Sequence, residues 1–238
     1  MCTAGVSAGG GWRVVVVWAG ALLAGGCVEA DATADGELRQ GRFGHVCVGD
    51  GDAACDDGLP PEVFPEVFAV GARLDATYLP DDGDRLPLPR VQPGSTSSLR
   101  AGGGAGWIAA RPGWAVWLAI DANDVVVDLR HVLLAKVDAI AVASEEVDDL
   151  ARVALAPGDR LALRAAPQDG VGRALGGSLT YAWRLEGQGV AQIVSVAERR
   201  AIVLEALEPG TAVLRVTAGG VTRALDVIVD EPQHGGED

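Results

Sequence analysis

The period-two alternation that fills the chain between Leu155 and Val229 constrains the fold more than any other feature. Leu179, Tyr181, Trp183 and Leu185 alternate with Thr180, Ala182 and Arg184, which gives an extended strand one apolar and one wet face. Leu161, Leu163 and Ala165 do the same against Arg160 and Arg164, and Leu225, Val227 and Val229 against Asp226 and Asp230. Gly158, Gly176, Gly177, Gly187, Gly210, Gly219 and Gly220 interrupt these runs at the spacing expected of a β-sandwich, whose two sheets turn back every 8 to 12 residues or so. The fold class predicted is all-β.

Several of these residues also carry a family resemblance. The segment EALEPGTAVLRVTAGG, the buried aromatic of the Tyr181 to Trp183 strand and the alternating last strand resemble the bacterial immunoglobulin-like domains of group 2. Gly210, Thr211, Ala212, Val213, Leu214, Arg215 and Val216 match the family's closing motif, Leu155, Gly158 and Leu161 its opening, and Trp183 its central tryptophan. Arg184 departs from the small polar residues usual after that tryptophan. The resemblance covers about a third of the chain. It implies a small sandwich used as a spacer or adhesive module at bacterial surfaces, and no catalytic residue.

A second, shorter and diverged sandwich of the same kind is expected upstream. Leu74, Ala76 and Tyr78 alternate with Arg73, Asp75 and Thr77, and Trp114, Val116, Leu118 and Ile120 with Ala115, Trp117 and Ala119. The run from Val125 to Val142 reads as one or two further strands. Val70, Gly71, Arg73 and Leu74 echo Pro157, Gly158, Arg160 and Leu161, while Pro112, Gly113, Ala115 and Val116 echo Pro209, Gly210, Ala212 and Val213. A fixed repeat would keep one separation, but the paired glycines lie 87 and 97 residues apart. No clear counterpart of the Tyr181 to Trp183 strand is visible. Ser144 to Asp149 (SEEVDD) reads as an acidic connector able to form one or two helical turns capped by Ser144.

The first residues have the layout of an export signal. Arg13 supplies a positive flank, Val14 to Ala24 is an apolar run of 11 residues, and Ala24, Gly25 and Gly26 precede Cys27. As a helix that run rises about 16 Å, short of a hydrocarbon core of about 30 Å, so it is a signal and not a span. The ending LLAGGC resembles the lipobox of bacterial lipoproteins, which implies acylation of Cys27; the alternative is an ordinary secretory signal with an incidental cysteine. Two or more acyl chains make a stable membrane anchor. Val28 after the cysteine points, by resemblance to lipoprotein sorting, to the outer membrane. The expected order is therefore a signal peptide at 1–26, a flexible tether at 27–41, a disulfide-closed acidic loop at 42–61, the first sandwich at 62–143, the connector at 144–150, the second sandwich at 151–230 and a tail at 231–238.

Cys47 and Cys55 are eight residues apart in GRFGHVCVGDGDAACDD, and outside the cytoplasm a disulfide is the default. Metal binding with His45 and the neighbouring aspartates is the alternative, disfavoured because zinc ligands usually pair across two or four residues and no second cluster exists. Asp50, Asp52, Asp56 and Asp57 share the loop, but Ala54 stands where an EF-hand needs its third ligand and no distal Glu follows. No metal and no cofactor are expected.

The remaining chemistry is sparse. A net charge of −14, with Lys136 the single lysine among 19 dispersed basic residues, excludes the clustered cations that nucleic-acid binding needs. Gly102, Gly103, Gly104 and Gly106 lack the Lys-Ser/Thr of a P-loop. His45, His131 and His234 belong to no recognisable catalytic motif, so no enzyme is expected. Trp114 and Trp117, three apart, must point to opposite faces of a strand. With Trp107 they are the candidates for stacking a sugar ring or a protein partner, the alternative being that the outward ring is covered by a neighbouring segment. The function read from the sequence is a structural or adhesive envelope protein presenting a surface to a protein or glycan. A carbohydrate-binding sandwich built on Trp107, Trp114 and Trp117 is the second reading.

Overall fold

The computed structural model describes residues 32–55, 63–83, 87–103, 106–187, 189–195 and 199–231. The export signal, Cys27 and His234 lie outside the described residues, in which every regular element is a strand. The first half contributes β1 (Thr33–Asp35), β2 (Gly41–Val46), β3 (Val67–Ala69), β4 (Arg73–Pro80), β5 (Arg90–Pro93), β6 (Leu99–Ala101), β7 (Trp107–Ala109), β8 (Gly113–Ile120) and β9 (Val126–Ala135). They form a sheet ordered β1-β2-β4-β7-β6 and another ordered β3-β9-β8-β5. The second half contributes β10 (Ala139–Ala143), β11 (Arg152–Leu155), β12 (Arg160–Gln168), β13 (Tyr181–Glu186), β14 (Ala191–Ile193), β15 (Ala201–Ala206), β16 (Gly210–Ala218) and β17 (Val221–Val229). Their sheets are β10-β12-β15-β14 and β11-β17-β16-β13.

The two halves repeat one topology strand for strand. β2 to β9 occupy the places of β10 to β17, down to the parallel pairing of β3 with β9 and of β11 with β17 among otherwise antiparallel neighbours. This is the strand arrangement of a constant-type immunoglobulin sandwich with its first strand split between the sheets. The paired glycines fall at equivalent points: Gly71 and Gly158 turn into β4 and β12 with φ of 91° and 88°, a left-handed conformation that a Cβ disfavours. Gly113 and Gly210 open β8 and β16. The counterpart of β13 is β5, paired with β8 from Arg90↔Ile120 to Pro93↔Trp117. It escapes a pattern search because RVQP is four residues long and ends in proline.

The alternation sets the faces as expected. Leu163 and Ala165 on β12, Tyr181 and Trp183 on β13, and Leu225, Val227 and Val229 on β17 are buried. On β8 the inward residues are Ala115, Trp117 and Ala119, and an irregularity between Ala119 and Ile120 turns Ile120 inward as well. Trp117 is fully enclosed and meets the rings of Phe64, Phe68 and Trp107 at centroid distances of 5.9, 5.4 and 6.4 Å. Apolar packing runs without a break from this core into the second one.

Several expected boundaries need correction. Residues 32–41 are not a free tether: Thr33 to Asp35 pair with Arg42 to Gly44, and β2 pairs in turn with β4. The stretch 42–61 is likewise no separate unit, since it begins with β2. The hairpin between β1 and β2 is held by Asp128, which is wholly buried on β9. Its Oδ1 accepts the amides of Leu38 and Leu129 at 2.9 and 2.8 Å, and its Oδ2 accepts the amide of Gln40 at 3.0 Å and the Tyr78 hydroxyl at 3.1 Å. Asn at this position offers one acceptor oxygen and turns an NH2 group on two of these donors. Asp128→Asn should therefore cost about 2–4 kcal/mol in chemical denaturation and strip hydrogen-exchange protection from the Leu38 and Gln40 amides.

The boundary between the sandwiches also moves. Only Lys136, Val137 and Asp138 separate β9 from β10, so the 144–150 segment lies inside the second sandwich, joining β10 to β11. It forms a turn rather than a helix, with Ser144 Oγ accepting the Glu146 and Val147 amides at 3.3 Å each. SEEVDD carries too little apolar surface to hold a helix against the sandwich.

Candidate functional site

Two regions gather polar side chains onto this scaffold. The first is the junction of the sandwiches. The segment between β12 and β13 leaves its own module and threads across the other: Gly176 exchanges backbone hydrogen bonds with Val67 and Ala69, and Ser178 exchanges two with Arg73. Against it lies the loop closed by the Cys47 to Cys55 disulfide. Asp52 in that loop is buried; its Oδ1 accepts the amides of Ala54 and Gly177, both at 3.0 Å, and its Oδ2 lies 2.7 Å from His45 Nε2. Gly51 accepts the Leu179 amide, and the Cys55 carbonyl accepts Arg200 Nη2 at 2.8 Å. The disulfide loop is thus a clasp between modules, built from β2 on one side and the β12–β13 connection on the other.

Tyr181 points into the same junction. Burial raises its phenol pKa well above the ordinary value, against the opposing pull of Arg200 and with a further push from Asp52. Its hydroxyl has no partner among the described residues. An unmet buried hydroxyl stabilises nothing, so Tyr181→Phe should leave the denaturation midpoint unchanged or raise it, by up to about 1 kcal/mol.

The second region is the outward face of the first sandwich. Trp114 on β8 is 67% exposed, its ring edge-on to His131 of β9 at 6.5 Å. Glu37, delivered by the hairpin that Asp128 anchors, accepts the His131 amide at 2.8 Å and meets its ring Nδ1 at 2.9 Å. Arg130, Arg173, Phe64 and Glu66 complete a shallow cleft of about 330 Å³ beside the indole. Hydrogen bonding from the His131 amide outweighs the desolvation of Glu37 and, with the His131 ring, holds its carboxyl below the usual range. A depressed carboxylate stabilises the fold above its unfolded pKa of about 4.3, and that gain is lost as pH falls through the lower folded value. Both side chains are half exposed, so roughly 0.2–1 kcal/mol is at stake. NMR titration should place Glu37 below other exposed glutamates, with His131→Ala moving it only part of the way back because the backbone donor remains.

The three tryptophans do not form one platform. Trp117 is core and unreachable, Trp107 is half-buried against it, and Trp114 alone faces solvent on the opposite side of its strand. The expectation of a Trp107, Trp114 and Trp117 stacking cluster is therefore reduced to a single ring. Reading the sequence missed Asp128 and Glu37 and weighed Asp52 only as a loop acid; their partners lie 90, 94 and 125 residues away in the chain, and no local signal marks these contacts.

No family model matches this sequence, and no curated protein matches it. Among solved structures the chain is similar to domains 4 and 5 of the S-layer protein SbsC, at 11% identity over 71% of this chain and 96% of that one with a TM-score of 0.34. It is similar to FdeC, an Escherichia coli adhesin, at 15% identity over 70% and 62% of the two chains with a TM-score of 0.32. It is also similar to the fibronectin(III)-like modules of Clostridium thermocellum CbhA, at 12% identity over 73% and 94% with a TM-score of 0.26. Likenesses at this level carry no functional assignment.

Proposed function

We propose that this chain is a lipid-anchored protein of the bacterial cell envelope, held by an acylated Cys27 at the outer membrane. Its two sandwiches, immunoglobulin-like modules of which the second is of the bacterial group 2 type, act as one stiff, non-catalytic arm presenting a surface to an envelope protein or glycan. The observation that carries the presenting role is the clasped junction. Three linking residues, a continuous apolar core and the hydrogen bonds of Asp52, Gly51 and Cys55 leave the modules little freedom to hinge. Stiffness suits a spacer or adhesin, whose bound partner must be held at a set distance. The non-catalytic reading is supported by Asp128, whose buried carboxylate is taken up by three backbone amides and the Tyr78 hydroxyl.

The anchor is tested by expressing the full-length chain in a Gram-negative host and weighing the processed protein intact, beside a Cys27→Ser control. An acylated mass beginning at Cys27, absent in the control, is the expected result. A chain cut elsewhere without lipid would make it a freely secreted protein. The glycan reading is favoured by one observation, the exposed Trp114 ring beside the Glu37 and His131 pair. A flat apolar face next to hydrogen-bonding groups suits a pyranose ring. Envelope polysaccharide should then quench fluorescence of the wild type and not of Trp114→Ala; equal quenching in both would remove this reading.

A further inference from the structure

We propose that the Cys47 to Cys55 loop is a redox-gated metal site, which takes a zinc-class divalent ion when its disulfide is reduced. His45, Asp52 and Cys55 each place a ligand atom within 4.8 Å of the others, and Cys47, bonded to Cys55, adds the second sulfur. Bonds of roughly 2.0–2.3 Å in a tetrahedral zinc site set neighbouring ligand atoms roughly 3.3–3.8 Å apart, so the cluster closes on an ion when its widest separations contract by about 1 Å and the 2.7 Å His45 to Asp52 pair opens by about 0.6 Å. The Cα atoms of the two cysteines are 6.0 Å apart, near enough for both thiolates to reach it. Two thiolates, an imidazole and a carboxylate form a donor set that selects zinc over magnesium or calcium. His45, Asp52 and Cys55 are 2%, 1% and 3% exposed, which keeps water from competing.

A second observation points the same way. His45 uses one ring nitrogen on Asp52 while Nδ1, also buried, has no partner among the described residues. Because Nδ1 has no partner to give up, the ring can exchange its one hydrogen bond to Asp52 for a shared ion, with imidazole and carboxylate both ligating it. The ligands also belong to the clasp: the loop that carries them gives Asp52 Oδ1, the Gly51 carbonyl and the Cys55 carbonyl to the second sandwich. An ion can therefore replace the covalent bond as the element that keeps this loop folded against its neighbour.

The chemistry balances with a dithiol as reductant. It delivers two electrons and two protons, the Cys47 to Cys55 bond breaks to two thiols, and the reductant forms its own disulfide. The divalent ion then displaces the two thiol protons to solvent as the thiolates bind.

The test uses the full chain carrying Cys2→Ser and Cys27→Ser, so that Cys47 and Cys55 are its only cysteines. Reduced protein titrated with Co²⁺ should bind one equivalent and develop thiolate-to-cobalt charge-transfer absorption with the strong visible bands of tetrahedral cobalt. One equivalent of Zn²⁺ should abolish both, and oxidised protein should show neither. His45→Ala and Asp52→Asn should each weaken binding about 10- to 100-fold. The inference is overturned if reduced protein gives no charge-transfer band, if oxidised protein binds equally, or if both substitutions leave affinity and spectrum unchanged. Should reduction melt the β-sheet circular dichroism, recovery on adding metal supports the site and failure to recover overturns it.

Discussion

Asp52→Ala is expected to destabilise the protein by about 3–5 kcal/mol and to split one cooperative unfolding transition into two. The carboxylate satisfies the Ala54 and Gly177 amides and the His45 ring. Its removal leaves buried donors unmet, the situation in which a single polar deletion costs most. The His45 ring would then have neither nitrogen partnered among the described residues. The splitting follows from position. Gly177 belongs to the β12–β13 connection of the second sandwich, whereas Asp52 hangs from β2 of the first, so the lost bond is one that couples the modules. Urea denaturation followed by both tryptophan fluorescence and far-UV circular dichroism checks this. Coincident curves with a loss under about 1 kcal/mol would mean that the apolar junction alone couples the halves.

Trp117→Ala is expected to cost at least about 3–5 kcal/mol, against no more than about 0.5 kcal/mol for Trp114→Ala. The residues share β8 and differ by three positions, but Trp117 is fully enclosed among Phe64, Phe68 and Trp107 while Trp114 is two-thirds exposed. Truncating the first opens a cavity that rings on several strands cannot jointly fill; truncating the second removes surface already wet. Trp117→Phe should be milder, since it keeps a ring in the cavity and deletes an indole N–H that has no partner among the described residues. Thermal denaturation of the three variants side by side tests the ordering. A Trp114→Ala loss comparable to that of Trp117→Ala would place its indole in a packed contact and count against a binding role for that face.

That Trp114 and Trp117 face opposite ways was legible because alternation assigns every second residue to one face. Which of the two rings faced outward needed the sheet order, and that Trp107 would lie against Trp117 needed the approach of β7 to β8 from the facing sheet. The repeat was legible at its turns, where Gly71 and Gly158 must take positive φ, but not at β3, β5 or β6. Strands of three or four residues are too short to show a period.

By itself the sequence determined an all-β fold, the inward residues of β12, β13 and β17, the turn glycines and the pairing of Cys47 with Cys55. All of these depend on neighbours in the chain, since strand pleat, backbone conformation and a short covalent loop are local. The tertiary structure alone decided that residues 33–46 join the first sandwich, that β10 belongs to the second, and that Asp52, Asp128 and Glu37 are structural anchors. An aspartate that fixes a buried turn and one that faces water have the same local pattern. What separates them is the set of amides brought to the carboxylate from some 90 to 125 residues away, and that set exists only once the chain has folded.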